Sequence, residues 1–376
     1  MKKVLILTHN YPRNKNDRQN AGIFVHDFTK QLLKKNIEVS VVCPGQNDSK
    51  SIIENVPVYW FQFDQERKLG QLHLWNPVDL IKFVKFFTKG IERSGEVSKK
   101  LKPDFCIAMW AFPAGFFAYL IWKKYQVGYA IWALGSDIYV YARLPIAGLL
   151  IKKILNNAKY LFADGIDLSS RVSQISGRKC AFLPSASNFG AIRTKPKNES
   201  KSKKIVLTFV GRMEVVKGPD ILIDALIGAK DVIENFEVNL IGDGILLDDL
   251  KKRVAGEGLG YYLRFYGNIS DKGKIAKILS MSNWLIIPSR SDSIPLVFSE
   301  AMKTGLPVIA SNLPDLKYLI NKYRVGLYFE MGNSAKLAAI IRSLKKEDSV
   351  SFRKNTSHVA KIFNVGNSVE RIVGYI

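Results

Sequence analysis

Twelve short apolar runs are strung along this chain, and stretches with helical periodicity lie between most of them. They include "KVLILT" (3–8), "EVSVVCP" (38–44) and "YAIWAL" (129–134), then "IVLTFVGR" (205–212), "FEVNLIGDG" (236–244), "WLIIPS" (284–289) and "PVIAS" (307–311). Strands that are apolar on both faces and separated by helices build parallel sheets covered on both sides. At 376 residues the chain is too long for a single core. The segment "RTKPKNESKSKK" (193–204) has no apolar residue and divides two series of similar size. The pattern predicts an α/β protein of two doubly wound, Rossmann-like domains facing across a cleft. The domains span 1–190 and 205–349, with a polar basic linker at 191–204.

One stretch, "FCIAMWAFPAGFFAYLIW" (105–122), runs 18 residues without a charge, enough to raise a membrane-spanning helix. "FPAG" splits it, and it reads as a buried strand followed by a buried helix. The three cysteines, Cys43, Cys106 and Cys180, sit singly in apolar runs. They read as thiols of a reducing compartment, with no disulfide framework and no metal. The start, "MKKVLILTHNYP", has too short an apolar core for a signal peptide, so the expected location is cytoplasmic.

The formal net charge is +23, from 56 basic and 33 acidic residues. Residues 1–185 contribute 27 − 14 = +13 and 186–376 contribute 29 − 19 = +10. Such a surface suits phosphorylated small molecules, anionic lipid or nucleic acid. No nucleic-acid-binding motif is present and the basic residues are dispersed, so nucleic acid is set aside.

In open parallel sheets ligands bind beyond the carboxyl ends of the strands. The loops there carry the candidate residues. Gly22 falls near the helix start that follows the first strand, where backbone N–H groups attract anions, or where a glycine is simply a cap. Gly211 and Arg212 end the first strand of the second series, and Lys217 lies five residues on, before Gly218-Pro219. Two cations beside a helix start suit a diphosphate, with ordinary surface ion pairs as the alternative. Gly242-Asp243-Gly244 allows close backbone approach, as for a nucleobase, or is a tight loop. In "PSRSDSIPLVFSEAMKTGLPVIAS" (288–311), Asp292 precedes a helix and Glu300 lies inside it. Ser293, Ile294, Leu296 and Val297 surround the start of that helix, where exposed N–H groups suit a phosphate. A plain helix cap and a solvated carboxylate are the competing reading of the two acids.

The series Gly211-Arg212, Lys217-Gly218, Gly242-Asp243-Gly244, Asp292 to Glu300-Ala301-Met302 and Gly305-Leu306-Pro307-Val308-Ile309-Ala310 resembles glycosyltransferase family 4, the retaining "group 1" enzymes of GT-B fold. The resemblance runs over essentially the whole chain and is strongest from 205 to 330. It implies that Glu300 binds donor ribose hydroxyls, and that Asp292, where the family carries Glu, binds the transferred sugar. Arg212 and Lys217 would neutralise the departing diphosphate in place of a metal ion, with Gly22 over the diphosphate. It also implies that the C-terminal segment, 350–376, crosses back onto the first domain. Where the family often has His-Gly-Ser-Asp, this chain reads Leu134-Gly135-Ser136-Asp137. Asp137 remains to orient an acceptor hydroxyl, or caps a helix, and His9 can face the cleft.

The expected activity is metal-independent, retaining transfer of a hexose from a UDP- or GDP-sugar, with no cofactor. The acceptor class considered is a lipid-linked saccharide or polysaccharide precursor. The alternatives are a sugar-nucleotide-binding protein without turnover and another two-domain nucleotide-sugar enzyme such as an epimerase. The helical stretch 76–102 places Leu80, Val84, Phe87 and Ile91 on one face and Lys82, Lys85, Lys89 and Arg93 on the other. Phe86 falls within the basic stripe. This suits docking to an anionic membrane face, against the alternative of a plain solvated face.

Overall fold

A computed structural model of the protein describes residues 1–14, 22–63, 76–186 and 204–376. The linker read at 191–204 lies outside these residues except for its last position. The described chain divides into two compact units, Met1–Ser185 with Val365–Ile376, and Ala186–Asn364.

The first unit runs β1 (Lys3–Leu7), α1 (Ile23–Lys34), β2 (Glu38–Gly45), β3 (Ser49–Ile53), β4 (Val56–Gln62), α2 (Pro77–Leu101), β5 (Phe105–Met109), α3 (Ala114–Tyr125), β6 (Tyr129–Ala133), α4 (Ser136–Tyr139), α5 (Pro145–Asn157), β7 (Tyr160–Ala163), α6 (Ile166–Ser176) and β8 (Ala181–Phe182). Its sheet has the order β3-β4-β2-β1-β5-β6-β7-β8. Every pairing is parallel except β3 with β4. Both β5 and β6 are buried at every residue, as helices on two faces require. The uncharged stretch 105–122 is therefore strand then helix. Among the described residues no helix is long and apolar enough to cross a membrane. All three cysteines are free and buried.

The second unit runs β9 (Ile205–Val210), α7 (Pro219–Gly228), β10 (Phe236–Ile241), α8 (Leu247–Gly256), β11 (Leu263–Gly267), α9 (Lys272–Met281), β12 (Trp284–Ile287), α10 (Leu296–Thr304), β13 (Val308–Ser311), α11 (Pro314–Tyr323), β14 (Gly326–Phe329), α12 (Ser334–Ser343) and α13 (Asp348–Ile362). Its strands are all parallel, in the order β11-β10-β9-β12-β13-β14. Strand order reverses between β9 and β12, which makes that edge the place for a ligand. Of the segment 350–376, α13 stays in this unit and packs on α10 and α11. Arg353 anchors it by donating to the carbonyl of Ser282. Only Val365–Ile376 belongs to the first unit, where α14 (Val365–Val373) packs on α1 and Lys35 pairs with Glu370 at 2.8 Å.

Helix α2 corrects one reading of the sequence. Phe86 is 1% exposed and packs against Phe61, Phe63 and Phe117, so it belongs to the core and to no surface stripe. Leu80, Val84 and Ile91, expected inward, are exposed instead. Small residues explain the rotation. Gly90 lies so close to the Phe117 ring that a Cβ there would fall 2.4 Å from it, and Ser94 and Ser98 are buried beside it. A helix can approach its neighbour along such a stripe, yet a count of apolar residues does not register it.

Candidate functional site

The switch point of the second unit gathers the loops that follow β9, β10 and β12. Lys217 closes the 3-10 turn Val215–Lys217, and α7 begins directly after Gly218. Gly218 has φ +69°, and a Cβ there would lie 2.1 Å from the Pro288 carbonyl oxygen. The loops after β9 and β12 therefore touch at their backbones. That contact delivers Lys217 to Asp292: Nζ lies 2.7 and 2.8 Å from the two carboxylate oxygens. The two side chains are 23% and 18% exposed, so this pair is shielded from water more than a surface ion pair.

Arg290 holds the same turn in place, a role the sequence did not reveal. Its backbone N–H donates to Val216 O at 2.9 Å and its guanidinium to Val215 O at 2.7 Å. The guanidinium also grips Asp220 on α7 with bonds of 2.8 and 2.5 Å. Burial alone would raise the Asp220 carboxyl, but the paired guanidinium outweighs it and holds the group below its ordinary value. A bidentate fork of this kind fixes direction as well as distance.

Gly242 and Gly244 have φ +135° and +152°. Cβ atoms there would lie 1.8 Å from Gly211 O and 2.6 Å from Met213 O. The close backbone approach read from these glycines is thus to the neighbouring loop of the same unit. Met213 N donates to Asp243 O at 2.8 Å and Leu246 N to Met213 O at 2.9 Å. Arg212, about half exposed, pairs with Glu214 at 2.6 Å.

Helix α10 begins at Leu296, with Pro295 as its N-cap, and ends at Gly305, whose φ of +76° closes the last turn. Leu296 and Val297 are half-buried in its first turn, and Glu300 is half-buried one turn later. Ile294 is buried, as is Ser293, whose hydroxyl points to Asp315 at 3.3 Å.

In the first unit the strand order reverses between β1 and β5. His9, after β1, packs against Trp110, after β5, with ring centroids 4.1 Å apart and the planes tilted by 49°. Burial pulls the His9 imidazole down to about 4, so it is neutral. Its Nδ1 is buried with no partner among the described residues. Asp137 is fully buried, and its oxygens accept N–H groups of Ala111 at 2.6 Å, Gly135 at 3.0 Å and Leu134 at 3.3 Å. Burial raises this carboxyl to about 6 against those backbone bonds. Asp137 thus ties the loops after β5 and β6 together. Gly22 caps α1, and a Cβ there would meet the Asn10 carbonyl at 2.5 Å. The loop after β1 is further pinned by Tyr11, whose hydroxyl meets His26 Nδ1 at 2.8 Å, while His26 Nε2 meets Glu54 at 2.7 Å.

Two parallel-sheet α/β units with loops of this kind define the GT-B fold. The crystal structure of Anabaena HepE in complex with UDP superposes with a TM-score of 0.75 at 17% identity, over 100% of this chain and 99% of that one. Residues 191–361 match the family described as Glycosyl transferases group 1. A phosphatidyl-myo-inositol mannosyltransferase of Mycobacterium leprae is 30% identical over 175 residues, 46% of each chain. A UDP-Gal:alpha-D-GlcNAc-diphosphoundecaprenol alpha-1,3-galactosyltransferase of Escherichia coli is 31% identical over 179 residues, 46% of this chain and 44% of that one. The chain thus spans about half the length of these curated relatives.

Proposed function

We propose that this chain is a retaining hexosyltransferase of family 4, moving a hexose from a nucleotide-diphospho-sugar to an acceptor hydroxyl. The observation that carries the reading is the ion pair of Lys217 with Asp292 at the switch point of the second unit. An ammonium has three N–H donors. Asp292 engages the head group through both oxygens and fixes its direction, and a donor phosphate oxygen takes the remaining N–H. Arg212 adds a second positive charge, and the first turn of α10 adds its N–H groups. Fixed cations then stabilise charge as it develops on the leaving diphosphate. Glu300, one turn into α10, is the group for donor ribose hydroxyls. The reading assigns this reaction no metal ion.

The UDP bound to Anabaena HepE and the UDP-Gal in the name of the E. coli relative favour a UDP-sugar over a GDP-sugar. Both curated relatives are named for lipid acceptors, phosphatidyl-myo-inositol and a diphosphoundecaprenol, which favours a lipid-linked acceptor at a membrane. The test is a melting-shift screen of nucleotide-sugars, followed by turnover of Lys217→Ala and Glu300→Ala with the donor that binds. Each variant should lose about 2–4 kcal/mol of transition-state stabilisation, roughly 30- to 1,000-fold in kcat/KM. Turnover near wild type in both would remove the site.

A further inference from the structure

A buried imidazole joins two parts of the first unit that the proposed reaction leaves unexplained. His26, in the first turn of α1, is 4% exposed. Its Nδ1 meets the Tyr11 hydroxyl at 2.8 Å and its Nε2 meets Glu54 at 2.7 Å. Tyr11 belongs to the loop after β1, and Glu54 to the two-residue turn between β3 and β4. In that turn Glu54 and Asn55 have φ of +45° and +70°. Asparagine and glycine are the usual residues there, and a glutamate held in that region carries backbone strain. Its carboxylate meets both His26 and Lys30, the latter one turn further along α1, at 2.8 Å. At the other end, the backbone of the Tyr11 loop lies close against α1. A Cβ on Gly22, the N-cap of that helix, would fall 2.5 Å from the Asn10 carbonyl and 2.6 Å from Tyr11 N. The chain Glu54–His26–Tyr11 therefore ends on the loop that carries His9 and closes at Gly22.

The hydrogens of this cluster add up in one way. Thr29 donates its single hydroxyl hydrogen to His26 O at 2.7 Å. Its contact with the Tyr11 hydroxyl at 3.0 Å must then use the hydrogen of Tyr11. Burial pushes that hydroxyl well above its ordinary value, so the hydrogen is present. With it spent, Nδ1 has to donate to Tyr11. Nε2 has to donate to Glu54, whose carboxyl is held at about 2 and carries no hydrogen at neutral pH. All four contacts exist together only when each ring nitrogen bears a hydrogen, the imidazolium form. A neutral ring keeps three of them at most. The other titratable groups around the chain are Lys30, which pairs with the same carboxylate oxygen, Asp27 of α1, and Cys43 of β2, whose buried thiol keeps its hydrogen. We propose that Tyr11, His26 and Glu54 form a proton-dependent brace on the loop after β1. With both ring hydrogens in place the loop is tied to α1 and to the β3–β4 turn. Removal of one as pH rises breaks the link to Tyr11 and loosens the loop. His26 acts through Tyr11 and is a positioning residue. The family resemblance sets Gly22 over the donor diphosphate, so the brace also governs donor affinity; that consequence alone rests on the transfer reading.

The test is hydrogen exchange of the full chain over residues 8–14, corrected for the intrinsic pH dependence of exchange, on both sides of the range in which histidine titrates. Opening of the loop should be about fivefold more frequent on the alkaline side, the worth of one net hydrogen bond. His9, held at about 4, stays neutral over this range and does not supply the effect. Thr29→Val keeps the side-chain shape and returns the Tyr11 hydrogen to Nδ1, so a neutral ring completes the chain. This variant should protect the loop equally on both sides, whereas a packing role for Thr29 would weaken protection and leave the pH dependence in place. Tyr11→Phe should expose the loop at either pH. Wild-type exchange that ignores pH, or Thr29→Val with the wild-type pH dependence, would overturn the proposal. Calorimetry of UDP binding over the same range reads the consequence for the donor. The loss of affinity with rising pH should be about fivefold greater in wild type than in Thr29→Val. Exchange uses no ligand, so the failure of the brace and the failure of the transfer reading are separable: equal losses of UDP affinity beside a pH-dependent exchange would overturn the donor link.

Discussion

Replacing Gly242 by alanine puts a methyl group 1.8 Å from the Gly211 carbonyl oxygen, on a residue whose φ is +135°. Two costs follow. A side chain forced into that backbone region costs roughly 1–3 kcal/mol. The contact is with backbone, which has no rotamer to escape into, so overpacking adds about 1–3 kcal/mol. The sum, about 2–6 kcal/mol, corresponds to a melting-point loss of about 5–20 °C for a unit of this size. Gly267→Ala supplies the control. Gly267 also has a positive φ, +62°, but a Cβ there meets nothing within 4 Å. It should lose only the backbone cost of roughly 1–2 kcal/mol. Calorimetry measures both variants, and the melting shift with UDP reports whether the loop of Gly211 and Arg212 still presents its side chains. Gly242→Ala should lose that shift and Gly267→Ala should keep it. Equal melting points for the two variants would refute the close-packed loop as the reason for the glycine.

Arg290→Ala should lower kcat/KM about tenfold or more by freeing the turn that carries Lys217, and Arg290→Lys should rescue little because an ammonium lacks the fork; steady-state kinetics checks both. Asp137→Ala strands the buried N–H groups of Ala111 and Gly135, at roughly 1–3 kcal/mol for each unpaired group, and should lower the melting point of the first unit markedly. Phe86→Ala should cost about 3–5 kcal/mol of stability in denaturant titration. Hydrogen bonds from Lys30 and then His26 hold the Glu54 carboxyl at about 2, against an ordinary 4.5. Its folded value is depressed, so its contribution is complete above pH 4.5 and is lost as pH falls toward about 2. Glu54→Gln should therefore melt below wild type at neutral pH and converge with it in acid, as a pH series of melting points would show.

The parallel strands were legible because burial on both faces leaves near-continuous apolar runs such as "FCIAM" and "WLII". Strand β3 was not, because "SKSII" is an exposed antiparallel edge with no apolar run to see. Strand β8 spans two residues and carries no pattern. In the site, loops after strands located Lys217 and Asp292, since parallel sheets place ligands there by topology. Arg290 was passed over although it stands two residues before Asp292, because its partner, Asp220, is 70 residues away. A pairing at that separation leaves no periodic trace. Likewise, a helical wheel ranks side chains by polarity and is blind to the small residues that seat α2.

The return of Val365–Ile376 to the first unit also sets an order of events during synthesis. The second unit is one unbroken stretch, 186–364, and every residue it needs is translated before α14. The first unit begins the chain, yet the side of α1 that α14 covers stays bare until the ribosome reaches the end of that helix. Domains ordinarily mature in the order in which they are translated; here the last piece of the first unit is translated after the whole of the second.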